Sequence, residues 1–357
     1  MIKYIKLKKY LNKRRLNNHL KKVISNPNND KNYILPLSFI THADVEPIAA
    51  CNLRCSFCPV PGWDRAKSTR AMSMELFKGI IDQLPNLTSV KLQGNGEPLI
   101  NPKLKDMIKY CSKKGIETAI VNNGTLLKQK IAQELLESGL NTIAFSIDGA
   151  TKETYENARP GADFDQVINN IKYLVKLKKS KNHKTIIKID CLASNQKIFE
   201  EIPQLVNLVS DIGVDSLSIK AALKVWKKVQ YRNKNEQSLE LEKTIHLEKR
   251  KNHSSIIQEA KKIAFEKNLK LSIGSIENDI YTKQKPCTWP WDKLFIGTEG
   301  KVVPCCVIGI PETWSFGDLT IQNINKIWNN EDYINLRKGL ITGNTPNLCK
   351  PCYGKLN

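Results

Sequence analysis

The stretch CNLRCSFCP, residues 51–59, decides the interpretation of this 357-residue chain. It places Cys51, Cys55 and Cys58 on one short loop with the spacing C-x3-C-x2-C, directly after a β-rich segment. Three thiolates on such a loop can hold three corners of a 4Fe–4S cluster, whose usual complement is four cysteines. One iron would then keep an open position for a small molecule. Zinc is the alternative, but it favours paired C-x2-4-C units and a fourth protein ligand, which no neighbouring residue obviously supplies.

Short β-rich runs alternate with helix-patterned segments on either side of this loop. We predict strands at residues 43–48, 89–93, 116–121, 142–147, 186–191 and 216–220. We predict helices between them at residues 74–84, 103–114, 129–138, 164–178 and 198–212. Six consecutive βα units form a parallel sheet with right-handed crossovers. The sequence therefore predicts an α/β fold, a partial (βα)6 barrel similar to a TIM barrel.

The regular alternation of predicted strands and helices ends after the sixth predicted strand. Residues 221–268 are rich in lysine and glutamate and predict a long loop followed by a helix. Residues 292–306 read as a β-hairpin that turns at Glu299 and Gly300, and a helix is predicted at residues 324–338. The domains that follow from this pattern are a basic N-terminal helical extension (1–40), the barrel (41–225), a helical connector (226–283) and a small cysteine-rich domain (284–357).

A second group of cysteines lies in that last domain. Its members are Cys287, Cys305, Cys306, Cys349 and Cys352. Four thiolates from a hairpin and a terminal C-x2-C can close a tetrahedral metal site or hold a second cluster. The spacing alone leaves zinc and iron–sulfur both open. Cys111 and Cys191 stand apart from both groups and are predicted to be small buried hydrophobic side chains.

The formal net charge of +21 suggests a nucleic-acid partner, but the composition argues against one. Lysine outnumbers arginine 47 to 9, whereas base-reading proteins rely on arginine for bidentate contacts. Residues 1–40 carry ten basic residues and one acid, interleaved with apolar ones, which predicts an amphipathic helix with a solvated lysine face. An anionic membrane, RNA or an acidic redox partner are the alternatives. No signal sequence or membrane-spanning run is present, so we expect a cytoplasmic protein.

The cysteine loop resembles the signature loop of the radical SAM enzymes. In that family the open iron chelates the amino and carboxylate groups of S-adenosylmethionine. Reduction of the cluster cleaves the sulfonium, and the 5′-deoxyadenosyl radical then abstracts a hydrogen from the substrate. The resemblance covers residues 41–225 and extends through the C-terminal region. It implies that Phe57 lies beside the adenine.

Further motifs follow the predicted strands at the face where barrel enzymes keep their active sites. Residues 94–98, GNGEP, are similar to the family's GGEP element with Asn95 in place of one glycine, and Glu97 is expected to pair with the methionine ammonium. Ordinary turn chemistry is the alternative for the Asn-Gly and Asp-Gly motifs. The cofactor-binding residues that the resemblance implies are Phe57, Gly96, Glu97, Asn122, Asn123, Ser146, Asp148, Arg159 and Asn195.

The C-terminal cysteines resemble the SPASM/twitch extension of radical SAM enzymes, which holds auxiliary 4Fe–4S clusters. The resemblance implies one auxiliary cluster held by Cys287, Cys305, Cys349 and Cys352, with Cys306 as a packed thiol. Full SPASM domains carry seven cysteines and two clusters, and only five residues follow Cys352 here. We therefore expect the one-cluster version.

This pattern resembles the radical SAM dehydrogenases of aminocyclitol biosynthesis, which oxidise a secondary alcohol to a ketone. The first hypothesis is thus a radical oxidoreductase for a sugar or cyclitol alcohol, reduced by a flavodoxin- or ferredoxin-like donor. The second is an enzyme that epimerises or crosslinks a ribosomal peptide, although residues 1–40 are short for a leader-binding domain. The third, an RNA- or membrane-associated protein with a structural metal, leaves the cysteine and GNGEP loops unexplained. No catalytic acid or base can be assigned.

Overall fold

A ten-stranded sheet organises the chain in the computed structural model, which describes residues 2–55, 57–58, 70–220, 222–226, 241–246, 251–274, 287–306, 311 and 314–349. The strand order is β12-β11-β10-β1-β2-β3-β4-β5-β6-β9. The strands are β1 (His42–Val45), β2 (Ser89–Leu92), β3 (Glu117–Asn122), β4 (Thr142–Ser146), β5 (Ile186–Cys191), β6 (Ser216–Ile219), β9 (Lys270–Ile273), β10 (Lys293–Ile296), β11 (Lys301–Val303) and β12 (Gly317–Asp318). In the spatial order of the sheet, all neighbouring strands from β10 to β9 are parallel. Strands β11 and β12 join the sheet in antiparallel orientation.

The six predicted strands are confirmed as β1 to β6, and each pairs with the next along the chain. Two strands extend the parallel run beyond the prediction. β9 joins beside β6, and β10 joins beside β1 on the other flank. The architecture is an α/β partial barrel, as the βα rhythm predicts.

The described residues form twelve α-helices, most of which connect the parallel strands. They are α1 (Ile2–Ser25), α2 (Met74–Asp82), α3 (Leu104–Lys113), α4 (Gln129–Glu137), α5 (Lys152–Ala158), α6 (Phe164–Ser180), α7 (Gln196–Glu200), α8 (Ile202–Ile212), α9 (His253–Glu266), α10 (Trp289–Asp292), α11 (Ile324–Trp328) and α12 (Glu331–Thr342). The side chains of Ser73, Thr151 and Asp163 cap α2, α5 and α6 by accepting a backbone hydrogen bond. Gly213 ends α8 in the left-handed conformation, with φ of 83°.

Three secondary-structure predictions need correction. The helix predicted at residues 198–212 is divided at Glu201, before Pro203 in the first turn of α8. The helix predicted at residues 324–338 is divided as well, because the Asn330 side chain caps a new helix, α12. The predicted loop after residue 220 contains two antiparallel strands, β7 (Ala222–Trp226) and β8 (Leu241–His246), before the expected helix α9.

The basic N-terminal segment is a helix, as predicted, and it lies across the N-terminal ends of the barrel strands. Leu16, Leu20 and Val23 are buried in the core. The Lys9 ammonium bonds the carboxylate of Glu117, the first residue of β3. Within the described part of the chain, no helix is both long and apolar enough to cross a lipid bilayer.

The two faces of the strands differ in burial. In β2, Val90 and Leu92 are buried, while Ser89 and Lys91 are partly exposed. The same alternation is seen in β3 and, after its first residue, in β5. The buried residues belong to the hydrophobic core, which also contains the connecting helices. The opposite face, which is the inner face of the barrel, remains partly open.

A buried cation joins the C-terminal helices to the N-terminal part of the chain. Arg337 on α12 is fully buried and donates hydrogen bonds to the carbonyls of Pro290 at 2.7 Å and Tyr33 at 2.8 Å. Its guanidinium lies over the Trp328 ring, 4.3 Å from the centroid. Helix α12 and the segment around Tyr33 therefore pack together next to α10.

Candidate functional site

The three clustered cysteines follow β1 on a partly buried loop. Cys51, Cys55 and Cys58 all have intermediate exposure. The Cys58 amide donates to the Cys55 carbonyl at 3.1 Å, and the Leu53 amide approaches the Cys51 sulfur at 3.5 Å. Burial raises the pKa of both the Cys51 and Cys55 thiols. A cation bound to the sulfurs would offset this cost, because it stabilises the thiolate form.

One arginine connects the cysteine loop to the end of β4. The Arg159 guanidinium forms a buried ion pair with Asp148, at 2.6 and 2.9 Å from one carboxylate oxygen. Its third nitrogen points at the Cys55 sulfur at 3.6 Å, and its carbon lies 5.5 Å from the centroid of the Phe57 ring. Asp148 is itself fixed, because its other oxygen accepts the Leu192 amide at 2.7 Å. Arg159 thus places a positive charge beside the cysteine loop.

The GNGEP loop lies directly against the chain that leads into the cysteine loop. A Cβ on Gly96 would be 2.2 Å from the Ile48 carbonyl oxygen and 2.6 Å from that of Ala50. The Glu97 amide donates to the Ala50 carbonyl at 2.9 Å. Only glycine permits this approach. The two loops are therefore held side by side as a backbone cradle.

A buried carboxylate holds this cradle to the third strand. The Glu97 oxygens accept the amides of Leu99 at 3.1 Å and Asn123 at 2.8 Å. Burial raises the pKa of Glu97 to about 7, although these two hydrogen bonds oppose the shift. The Asn123 side chain in turn donates to Asn52, in the cysteine loop, at 3.0 Å. One network therefore joins the loops that follow β1, β2 and β3.

The remaining residues that the resemblance implies as cofactor contacts differ in whether their side chains already have hydrogen-bond partners. Ser146 ends β4 on the inner face, and its hydroxyl has no hydrogen-bond partner among the described residues. Asn122 is already used locally, donating to the Ala144 carbonyl and accepting the Gly124 amide. Asn195 caps α7 by accepting the Ile198 amide at 2.9 Å. For Asn122 and Asn195 these hydrogen bonds are sufficient structural roles.

The donor set fits a 4Fe–4S cluster. Three thiols, an arginine directed at one of them and a glycine-lined backbone cradle occur together at the carboxyl ends of β1, β2 and β4. Throughout the described ranges, no three His, Cys, Asp or Glu side chains are close enough to hold a single metal ion. A 4Fe–4S cluster does not require three side chains around a single ion, because each thiolate binds a different iron.

The second cysteine group is described in part, since Cys352 lies outside the described residues. Cys287, Cys305 and Cys349 have intermediate exposure. Burial raises the pKa of Tyr333, and the Cys305 thiol adds to the rise, so these two side chains are neighbours.

Buried hydrogen-bond donors that fit an iron–sulfur group cluster around Tyr333, the neighbour of Cys305, with Trp328 and Arg337 packed against its ring. Their atoms are Tyr333 Oη, Trp328 Nε1 and Arg337 Nη2, and none has a hydrogen-bond partner in the part of the chain that the structure describes. Cluster sulfurs accept hydrogen bonds of this kind. Buried polar groups without partners are rare, so an acceptor at this position explains the arrangement.

Sequence reasoning missed two residues that shape the site. Glu46 is fully buried after β1, and its carboxylate accepts the Asn95 amide at 2.8 Å, fixing the GNGEP loop from below. Asn52 lies between two of the predicted cysteines and bonds Thr125 at 2.8 Å. Their position in the sequence could have identified them, because Glu46 lies near a strand end and Asn52 lies inside the cysteine motif. Polar side chains at such positions often bond the backbone of a loop.

The raised pKa of Glu97 predicts a pH dependence of stability. Between pH 4.5 and about 7 the folded state retains a proton that the unfolded state has lost. The free energy of unfolding should therefore fall as pH rises through this window, by at most about 3 kcal/mol. Glu97→Gln should lack this slope, although it loses one backbone acceptor at every pH. Urea denaturation of the cluster-free protein at pH 5, 6, 7 and 8 measures the difference.

Glu259→Gln is the matched control, because Glu259 is exposed on α9. It should keep the wild-type slope. Parallel curves for wild type and Glu97→Gln would show that Glu97 does not titrate in this range.

Comparisons with known proteins agree with this geometry. The model of the radical SAM superfamily matches residues 45–192, and that of the SPASM iron–sulfur cluster-binding domain matches residues 287–353. A curated relative from Pyrococcus furiosus, the tungsten-containing aldehyde ferredoxin oxidoreductase cofactor-modifying protein, is 24% identical over 317 residues, which is 81% of each chain.

Two solved structures share the fold. Streptococcus suis SuiB bound to precursor peptide SuiA aligns with a TM-score of 0.65 at 17% identity, covering 90% of this chain and 70% of that one. BtrN in complex with AdoMet and 2-DOIA aligns with a TM-score of 0.50 at 18% identity, covering 88% and 94%. A radical SAM domain uses a 4Fe–4S cluster and S-adenosylmethionine, and a SPASM domain binds auxiliary iron–sulfur clusters. The chain therefore contains a radical SAM domain at residues 45–192 and a C-terminal SPASM domain at residues 287–353.

Proposed function

We propose that this enzyme is a radical SAM oxidoreductase that abstracts hydrogen from a small polar alcohol, a sugar or cyclitol, with an auxiliary 4Fe–4S cluster as the electron acceptor. The observation that carries the proposal is a cavity of about 670 Å³ on the inner face of the barrel. This volume is in the range of small-molecule sites. Its wall includes Gln93, next to the GNGEP loop, and Cys306, next to the proposed auxiliary ligand Cys305. A substrate in the cavity would thus lie between the two proposed clusters.

The site residues are assigned by the same proposal. Cys51, Cys55 and Cys58 would hold the first cluster, and Cys287, Cys305, Cys349 and Cys352 the auxiliary one. When bound, the first cluster and S-adenosylmethionine supply a 5′-deoxyadenosyl radical. Ser146 and the backbone cradle around Gly96 would bind the cofactor, while Arg159 would hold the cysteine loop against Asp148. The proposed domain boundaries enclose both family matches, at residues 41–225 and 284–357.

Conversion of a secondary alcohol to a ketone requires three separate transfers. The carbon–hydrogen bond breaks, and its hydrogen atom passes to the 5′ carbon of the deoxyadenosyl group. The hydroxyl proton passes to a base, and the one remaining electron passes to an acceptor. The protein's part is to hold the alcohol carbon near the cofactor, to accept the proton and to exclude water.

The experiment is to supply the anaerobically loaded enzyme with aminocyclitols, cyclitols and aldoses that carry deuterium at one alcohol carbon. The expected result is one ketone and one deuterium-labelled 5′-deoxyadenosine per turnover. Ketones are trapped with a hydrazine and measured by mass spectrometry. Labelled 5′-deoxyadenosine with no ketone, or product that regains hydrogen from solvent, would overturn the dehydrogenase proposal.

Peptide modification is the second candidate, because the fold is similar over 90% of the chain to SuiB, a protein crystallised with a precursor peptide. It predicts turnover only with a ribosomal peptide, yielding an epimer or a crosslink. Incubation with the peptides encoded beside the gene decides between the two candidates.

The basic surface predicts the electron donor. We propose an acidic flavodoxin- or ferredoxin-like protein that is steered to the enzyme by the net charge of +21. The rate of reduction by such a protein should fall at least about tenfold between 0.05 and 0.5 M salt, because screening shortens the range of the attraction. Reduction by dithionite in the same buffers is the control. A protein-donor rate that is independent of salt would contradict the proposal.

A further inference from the structure

The inner face of the barrel carries charged side chains, unlike a packed barrel core. Strand register places Asp44, Lys91 and Thr142 on this face in one layer, with Lys188 and Asp190 further along the sheet. The same layer also contains the apolar residues Phe295, Ala119 and Ile186. Closed barrels fill the same positions with bulky branched side chains. A polar face of this kind favours a hydrated, hydrogen-bonding ligand over an apolar one.

The cavity on this face follows β2 along its length. Ser89, Lys91 and Gln93 occupy alternate positions of one strand segment, and all three line it. At the N-terminal end of β2, α1 closes the cavity with Lys9 and other residues. At the opposite end Gln93 leads into the GNGEP loop. A ligand in the cavity would thus extend from beneath α1 to the proposed cofactor site.

Most charges of the cavity wall have partners within the protein. The Asp44 carboxylate accepts from His42 at 2.7 Å, and the other ring nitrogen of His42 bonds Ser89 at 2.8 Å. Lys9 bonds Glu117, a carboxylate on the same face. The hydrogen-bonding groups of these side chains are therefore already used within the protein.

Lys91 is different. Its ammonium makes no hydrogen bond or ion pair in the part of the chain that the structure describes. Asp44 is its register partner on β1, but that carboxylate is directed to His42. Lys293 adds a second ammonium to the wall, 5.6 Å from the centroid of the Trp289 ring. The wall also carries Asp292, a carboxylate on which Lys293 acts electrostatically, so Lys91 is an ammonium in the middle of the cavity that remains available to a ligand.

We propose that Lys91 binds an anionic group of the substrate, a carboxylate or a phosphate monoester, so that the enzyme acts on a sugar acid or a sugar phosphate. A lysine ammonium binds either anion as a point charge, and the attraction is stronger in a partly desolvated cavity than in water. This inference deepens the proposed function and rests on it. Lys91 precedes Gln93 by two residues on the same face of the β2 segment, and Gln93 leads into the GNGEP loop. The anion would therefore bind on the N-terminal side of the carbon that reacts.

Binding at equilibrium tests this inference without turnover. Gluconate and glucose 6-phosphate carry the two candidate anions on related sugar scaffolds, and glucose is the uncharged control. Isothermal titration calorimetry of the cluster-loaded protein, at constant ionic strength and without S-adenosylmethionine, measures each dissociation constant.

We expect Lys91→Gln to weaken binding of the anionic sugar at least about tenfold and to leave any binding of glucose unchanged. Lys109→Gln is the matched control, because Lys109 is exposed on α3, and it should bind all three ligands as the wild type does. An anionic sugar that binds no more tightly than glucose, or that binds Lys91→Gln as tightly as the wild type, would overturn the inference.

The two anions distinguish the chemical source. Tighter binding of gluconate indicates a carboxylate ligand, and tighter binding of glucose 6-phosphate indicates a phosphate ester, in each case only if Lys91→Gln abolishes the preference. Since no step needs S-adenosylmethionine cleavage, these outcomes are independent of whether the proposed dehydrogenation is correct.

Discussion

Alanine at Cys51, Cys55 or Cys58 should reduce the release of 5′-deoxyadenosine from S-adenosylmethionine to background. Each thiolate would hold a different iron, so losing one leaves a cluster that is incomplete or absent. The reduced wild-type protein, loaded anaerobically, should release 5′-deoxyadenosine even without substrate, at a slow uncoupled rate. Chromatography of the quenched reaction with dithionite as reductant measures the product.

Cys111→Ala is the matched control. Cys111 is buried in the core on α3, and burial raises the pKa of its thiol to about 12, so it is a neutral packing group. Its variant should lose some stability but keep cleavage activity and iron content. Full cleavage activity in any of the three loop variants would refute the assignment of the first cluster.

Much of the barrel could be predicted because its signals are local. The period-two runs of β2 and β5 and the amphipathic pattern of α6 lie within short windows of sequence. The cysteine loop and the GNGEP loop each follow a strand directly, so the parallel topology brings them to the same edge of the sheet. Their proximity in the structure follows from that topology.

What could not be predicted depends on distant pairing. The register of β10 against β1 brings Lys293 and Cys306 to the wall of the same cavity as Lys91, about 200 residues apart in the chain. No local pattern encodes such contacts. The hairpin of β7 and β8 was missed because 14 residues of sequence separate two short strands, so the tight-turn signal of a hairpin is absent.

The adjacent pair Cys305 and Cys306 gives the other large expected effect. Cys305 influences Tyr333, on the side of α12, whereas Cys306 lines the inner cavity with Asp44. The two thiols therefore face different surroundings, as expected for neighbours that leave a strand. Only Cys305 lies beside the buried donors that fit an iron–sulfur group.

Cys305→Ala should therefore lose about four of the roughly eight irons per chain expected for two clusters, or retain a damaged auxiliary cluster. Cys306→Ala should keep the wild-type iron content, because its thiol faces the cavity. Iron and sulfide assays after anaerobic reconstitution, with electron paramagnetic resonance of the reduced samples, measure both variants. The first cluster should survive in each, so reductive cleavage of S-adenosylmethionine should persist and show that the protein is folded. Iron loss in Cys306→Ala alone would move the ligand to Cys306 and place the auxiliary cluster at the cavity wall, whereas no loss in either variant would exclude both cysteines as ligands.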